Sequence, residues 1–218
     1  MDEATALLFS NDVLNERDGE ISLSSEFESS LADHQATVAE GSGDELGALI
    51  REKISDETVV EPFVRLAEKD PRTVAELCAL ADFVDAAADE WLPVVPLLRL
   101  FRPDPVRTDG VPDRFVPVPG DHLPEFVDIY ARLFVYVWLD DCEPCDALKA
   151  RLESVFEEPR DVLPVAVYGP EYKETLRREY DVTAGPAMLF VRDGAVDTRL
   201  YGDNDEGVIE TELEALWR

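Results

Sequence analysis

The stretch Leu133-Phe134-Val135-Tyr136-Val137-Trp138-Leu139-Asp140-Asp141-Cys142-Glu143-Pro144-Cys145-Asp146-Ala147-Leu148 decides how the chain is read. Its first six residues are an apolar run rich in β-branched and aromatic side chains, which predicts a strand buried on both faces. From Cys145 onward, Leu148, Leu152, Val155 and Phe156 share one stripe, which predicts a helix. Two cysteines separated by two residues therefore sit where a buried strand ends and a helix begins. That placement has chemical meaning. The thiolate is the nucleophile of disulfide exchange, and a helix N-terminus favours negative charge. The first cysteine is expected at the exposed turn, and the second one turn in, close enough to resolve a mixed disulfide.

Working outward, Leu123 to Ile129 reads as a short helix before this strand. After it, Leu163 to Tyr168 reads as a second buried strand and Tyr172 to Tyr180 as a helix. Ala187 to Val191 reads as a strand, Asp193-Gly194 as a hairpin turn and Val196 to Tyr201 as the returning strand. A helix over Gly207 to Trp217, bearing Ile209, Leu213 and Leu216, closes the chain. The order from Leu133 is β-α-β-α-β-β-α. A helix joins the first two strands, so they run parallel; a tight turn joins the last two, so they run antiparallel.

Over residues 121–218 this pattern resembles the thioredoxin family. Trp138 precedes Cys142 by four residues, matching the family's Trp-x-x-x-Cys lead-in, and Pro144 matches the proline of its Cys-x-Pro-Cys box. Pro186 follows Cys145 by about forty residues, the family's interval to its cis-proline, after the matching Tyr180-Asp181-Val182 lead. Gly194 and Gly202 match the glycines of the last hairpin and its exit. The resemblance implies that Cys142 attacks a substrate disulfide and Cys145 resolves it. It also implies that Trp138, Gly185 and Pro186 border the bound substrate chain and that Glu143 and Pro144 shape the turn. Protein disulfides would be the substrates and a reductase the electron donor, with no bound cofactor and no metal.

Several positions depart from the family. Asp141 stands where a tryptophan usually precedes the first cysteine, and Glu143 where glycine is usual. Tyr136 occupies the place of a buried aspartate, whose usual lysine partner falls near Val167, so the family's proton-handling pair is missing here. Ala150 replaces the proline that kinks the helix, and Gly185 replaces the Ile or Thr before the cis-proline. Asp140, Asp141, Glu143 and Asp146 surround the thiols and oppose the helix dipole, so Cys142 is expected to be less acidic than in typical relatives.

Composition frames the rest. The chain of 218 residues carries 49 acidic against 20 Lys and Arg, a net charge of -29, yet 45% of it is hydrophobic. Only Lys53, Lys69, Lys149 and Lys173 are lysines. Self-repulsion on that scale needs screening by salt, which points to the salt-rich cytosol of a halophile, of the haloarchaeal kind. The acidity argues against nucleic acid and against an anionic membrane surface. No apolar run approaches the roughly 18 residues that span a bilayer. The acidic start Met1-Asp2-Glu3-Ala4 lacks the basic region of a secretory signal, so the expected location is cytoplasmic.

Three cysteines in a reducing compartment do not make a disulfide scaffold. A zinc half-site lacks partners, since Cys78, His34 and His122 have no metal-like spacing. Cys78, on a helical face with Val74 and Leu77, is read as a buried inert thiol, and His122 as a surface or capping residue.

The fold class expected is α/β. A C-terminal thioredoxin-like fold with a mixed central sheet is preceded by a mainly α-helical N-terminal domain with a small β-hairpin. The domains are residues 1–105, helical; 106–120, a connector with Pro103, Pro105, Pro112, Pro117 and Pro119 in and beside it; and 121–218. In the first, a hairpin is expected around Asp18-Gly19, then a helix from Ser24 or Ser25 to about His34, then three or four more helices. It carries no chemical motif and its role stays open. A hairpin followed by helices faintly resembles a winged-helix module, but the acid excess speaks against nucleic acid. The expected reading is a helical adaptor packed on the redox domain and offering a partner-binding surface. Two functions stand at this point: a thiol–disulfide oxidoreductase, or a redox-inactive or redox-sensing interaction module.

Overall fold

The computed structural model describes residues 3–101, 107–158 and 160–218. Met1 and Asp2 of the acidic start, and Pro103 and Pro105 of the expected connector, lie outside the described residues. The chain divides into two compact units, Met1–Arg102 and Pro103–Arg218.

In the first unit, helix α1 (Glu3–Ser10) leads into a two-stranded antiparallel hairpin, β1 (Leu14–Arg17) and β2 (Glu20–Leu23). The hairpin turns at Asp18 and Gly19, both at positive φ, as a two-residue turn of this hand requires. The Ser24 hydroxyl accepts the Phe27 N–H at 3.1 Å and caps α2 (Ser25–Glu40). This helix outlasts the expected end at His34. Val38, seven residues after Leu31, continues its buried stripe, and Gly41 follows its last residue. Then come α3 (Gly43–Lys53), opened by the Ser42–Glu45 capping box, α4 (Glu57–Lys69), α5 (Arg72–Phe83) and the single turn α6 (Ala88–Trp91). The Pro-interrupted stretch that follows is a 3-10 helix, Leu92–Leu100. Its buried Arg99 donates to Thr73 at 2.8 Å and pairs with Asp70 at 2.9 Å and Glu76 at 3.2 Å. A cation removed from water is tolerated where carboxylates and a hydroxyl surround it.

The second unit is a five-stranded sheet with helices on it. Its elements are β3 (Val116–Pro117), α7 (Leu123–Ile129), β4 (Arg132–Trp138), α8 (Glu143–Val155), β5 (Leu163–Tyr168), α9 (Lys173–Tyr180), β6 (Ala187–Arg192), β7 (Ala195–Tyr201) and α10 (Glu206–Ala215). The strand order is β3-β5-β4-β6-β7. The first three are parallel and the last two antiparallel to their neighbours. This is the mixed sheet of a thioredoxin-like α/β fold, and from β4 onward the elements follow the expected order.

The connector reading needs correction. Residues 115–118 are core: Phe115, Val116 and Val118 are buried, and Val116–Pro117 pairs with Val165 and Ala166. An edge strand has one unpaired side, so Pro117 sacrifices no ladder bond there, and Val118 N–H reaches Ala166 O at 2.9 Å.

Strand β4 is central, which is why its sequence shows no alternation. Phe134, Tyr136 and Trp138 face a cluster with Phe115, Leu148, Leu152, Phe190, Ile209 and Leu213. Leu133, Val135 and Val137 point to the opposite face and are equally buried. The carboxyl ends of β4 and β5 lie side by side, Trp138 opposite Tyr168. The open end of this pair is where the Cys-x-x-Cys turn begins.

Candidate functional site

After Trp138 the chain leaves the sheet through Leu139, Asp140 and Asp141. Asp141 sits at φ 49°, a left-handed conformation that aspartate tolerates better than most residues. The turn delivers Cys142 to the N-cap of α8. Cys142 O accepts the N–H groups of Cys145 and Asp146 at 2.8 and 3.1 Å. Its Sγ also accepts the Cys145 N–H at 3.2 Å. A sulfur so placed meets the positive end of a helix, where a thiolate is stabilised.

Cys142 and Cys145 are joined by a disulfide, their Cα atoms 5.2 Å apart. Their exposure differs. Cys142 is half-buried, whereas Cys145 is 3% exposed and points into the protein. Glu143, Pro144 and Asp146 are exposed around them. Beneath Cys145, the buried Tyr136 hydroxyl donates to its carbonyl at 3.0 Å. Burial, and after it the Asp146 charge, push that phenol well above its usual range, so it stays protonated.

The Gly185–Pro186 peptide is cis. It immediately precedes β6, whose Ala187 pairs with Val137 at the same end of the sheet as the dithiol. Pro186 O accepts the Gly202 N–H at 2.9 Å. Leu139 lies against Gly185: a Cβ there would come within 2.9 Å of its Cδ1. A β-branched side chain at this position would have to displace the Leu139 side chain.

Trp138, which the resemblance implies borders the substrate chain, is 2% exposed, and its buried indole N–H has no hydrogen-bond partner among the described residues. It lies 4.7 Å from the Tyr168 ring, and Gly110 rests on its face so closely that a Cβ there would overlap the indole. Trp138 thus packs between Tyr168 and Gly110.

A second group was not foreseen. Arg107 Nη1 donates to Asp140 Oδ2 at 2.7 Å and to the Tyr168 hydroxyl at 2.8 Å. Tyr168 donates to the same Asp140 oxygen through a short hydrogen bond. The guanidinium lies 4.5 Å from the Tyr168 ring centre and 5.9 Å from that of Trp138. The Tyr168 hydroxyl, and next the Arg107 side chain, hold the Asp140 carboxyl below its usual range. Tyr168 had a local signal, its place opposite Trp138 in paired strands. Arg107, 33 residues before Asp140, had none.

Cys78 is buried and unpaired in the first unit, and burial pushes its thiol up to about 11. His122, expected at the surface or as a cap, is buried at the start of α7, with no side-chain capping bond. Among the described residues, no three His, Cys, Asp or Glu side chains converge as a metal site.

No family model matches the chain. Among curated proteins it is similar to the mitochondrial thioredoxin of Bos taurus, 32% identical over 108 residues, which is 50% of this chain and 60% of that protein. The mitochondrial thioredoxin of Mus musculus is 31% identical over 108 residues, with the same shares. The chain thus spans about 60% of the length of the curated relatives it matches. Among solved structures, oxidized mitochondrial thioredoxin 3 of Saccharomyces cerevisiae is 19% identical with a TM-score of 0.43, covering 47% of this chain and 95% of its own. A mutant thioredoxin of Halobacterium salinarum is 20% identical with a TM-score of 0.41, covering 47% and 91%. Sheet order, Cys-x-x-Cys disulfide and cis-proline together define the second unit as an α/β domain of thioredoxin-like fold, similar in sequence to thioredoxins.

Proposed function

We propose that the chain is a thiol–disulfide oxidoreductase acting on protein disulfides through Cys142 and Cys145. The observation that carries this reading is the asymmetry of the pair: one sulfur half-buried at a helix N-cap, its partner buried behind it in the same turn. In the reduced enzyme the Cys142 thiolate attacks a substrate disulfide. One substrate thiolate leaves and takes a proton, and a mixed disulfide remains. Cys145 loses its proton and attacks Cys142 Sγ, and the second substrate thiolate leaves. The substrate disulfide gains two electrons and two protons, and the enzyme dithiol loses them. A partner dithiol reductase resets the pair. Gly185 and Pro186 would hold the substrate chain beside the turn, with Glu143 and Pro144 shaping it.

The neutral Tyr136 cannot accept the Cys145 proton, which passes to solvent or to the departing thiolate. A neutral phenol in place of a base at position 136 favours the second reading, a redox-sensing interaction module with slow exchange. The helical first unit would then dock a partner in either case. The acidic composition supports work in a salt-rich cytoplasm; no helix among the described residues is long and apolar enough to cross a membrane.

Insulin reduction by dithiothreitol in molar KCl tests the reading. Wild type should accelerate it, and Cys142→Ser should abolish the acceleration. A wild type without turnover, its disulfide opened by the reductant, would overturn it in favour of the module.

A further inference from the structure

We propose that Arg107 is a positioning residue for the dithiol: by holding Asp140 against Tyr168, it offsets the repulsion between that carboxylate and the Cys142 thiolate. The inference rests on the exchange reading above and adds to it a residue from outside the matched pattern. Four acids crowd the turn, Asp140, Asp141, Glu143 and Asp146, against one helix dipole. Among the described residues, the other charged or titratable groups that interact with these include Arg107 and Asp109 on the preceding segment, Lys149 about two turns along α8, Tyr136 and Tyr168 on the strands, and Glu171 beside Tyr168. Among these acids, Asp140 is bound by the cation of Arg107 and by a phenol together.

The segment 107–111 is built to keep the cation there. Arg107 lies over Tyr168 and Trp138. Gly110 is fitted against the indole, and Lys149 Nζ donates to Asp109 O at 3.4 Å, tying the segment to α8. The segment read as a spacer therefore forms a wall of the site. Asp140 is two residues from Cys142, a span of up to about 7 Å of extended chain. One uncompensated charge about 7 Å from a sulfur in a water-like medium changes a thiolate population by about two- to threefold.

The test uses the full reduced chain and four variants: Arg107→Met, Arg107→Lys, Asp140→Asn and the Arg107→Met/Asp140→Asn double. The readout is the iodoacetamide alkylation rate of the Cys142 peptide at pH 7, by mass spectrometry, at the lowest KCl that keeps each variant folded by circular dichroism. Arg107→Met should slow alkylation about two- to threefold and Asp140→Asn should speed it by a similar factor. The double variant should return near wild type, and Arg107→Lys should recover most of the loss. Higher KCl should shrink every difference. Rates that stay unchanged, or that move the same way in both single variants, overturn the proposal. Should Arg107→Met not fold, the sign of the Asp140→Asn change and the Arg107→Lys rate decide. The same proteins are assayed on insulin. Opposed shifts in alkylation with no turnover in wild type would remove the oxidoreductase reading while supporting the electrostatic role of Arg107.

Discussion

Tyr136 stands where the thioredoxin family buries a carboxylate, and its hydroxyl is committed to the carbonyl of Cys145. Tyr136→Phe removes that donor, while the Cys145 carbonyl keeps its place in the α8 ladder. Stability should fall by about 0.5–1.5 kcal/mol, measured by urea unfolding of the oxidised chain. Gly185 is fixed by steric contact. Gly185→Val drives a branched side chain into Leu139 and should destabilise by roughly 1–3 kcal/mol, with Leu139→Ala in the same chain recovering part of the loss. Cys78 carries a pH prediction. Its thiol, raised in the folded state to about 11 by burial, keeps its proton between pH 9 and 11 while the unfolded chain loses it. The unfolded state then binds fewer protons, so stability falls as pH rises through that window. Cys78→Ala should flatten this part of the pH–stability curve relative to wild type.

Elements were legible where local pattern and tertiary context agree. Strands β4 and β5 announced themselves as apolar runs because each is central and buried on both faces. The β6–β7 hairpin did so because Asp193 and Gly194 both take the positive φ of its turn. Strand β3 did not, because two residues that include a proline pair only through the edge of a sheet assembled from later sequence. Helix α2 was cut short because Val38 is the one large apolar residue of its last turns. Of the candidate site, Cys142 and Cys145 were readable from their spacing at a strand-to-helix turn, and the cis Gly185–Pro186 peptide from the resemblance alone. Arg107 was not, since a pairing made across the fold leaves no periodic trace. Phe115→Ala tests the reassignment of the proline-rich stretch. A spacer residue would tolerate it, whereas the core residue seen here should cost about 3–5 kcal/mol in urea unfolding.

For the whole molecule, charge dominates. With a net charge of -29, repulsion among surface carboxylates opposes compaction and is screened at short range by molar salt. The melting temperature should rise steadily from 0.1 to 2 M KCl, and a temperature independent of salt would contradict that account. The redox claim is tested most directly by capturing its intermediate. Reduced Cys145→Ser, mixed with insulin in molar KCl, should form a covalent adduct through Cys142 that dithiothreitol releases. A chain that is folded and fully reduced, yet leaves insulin unmodified, would contradict the account.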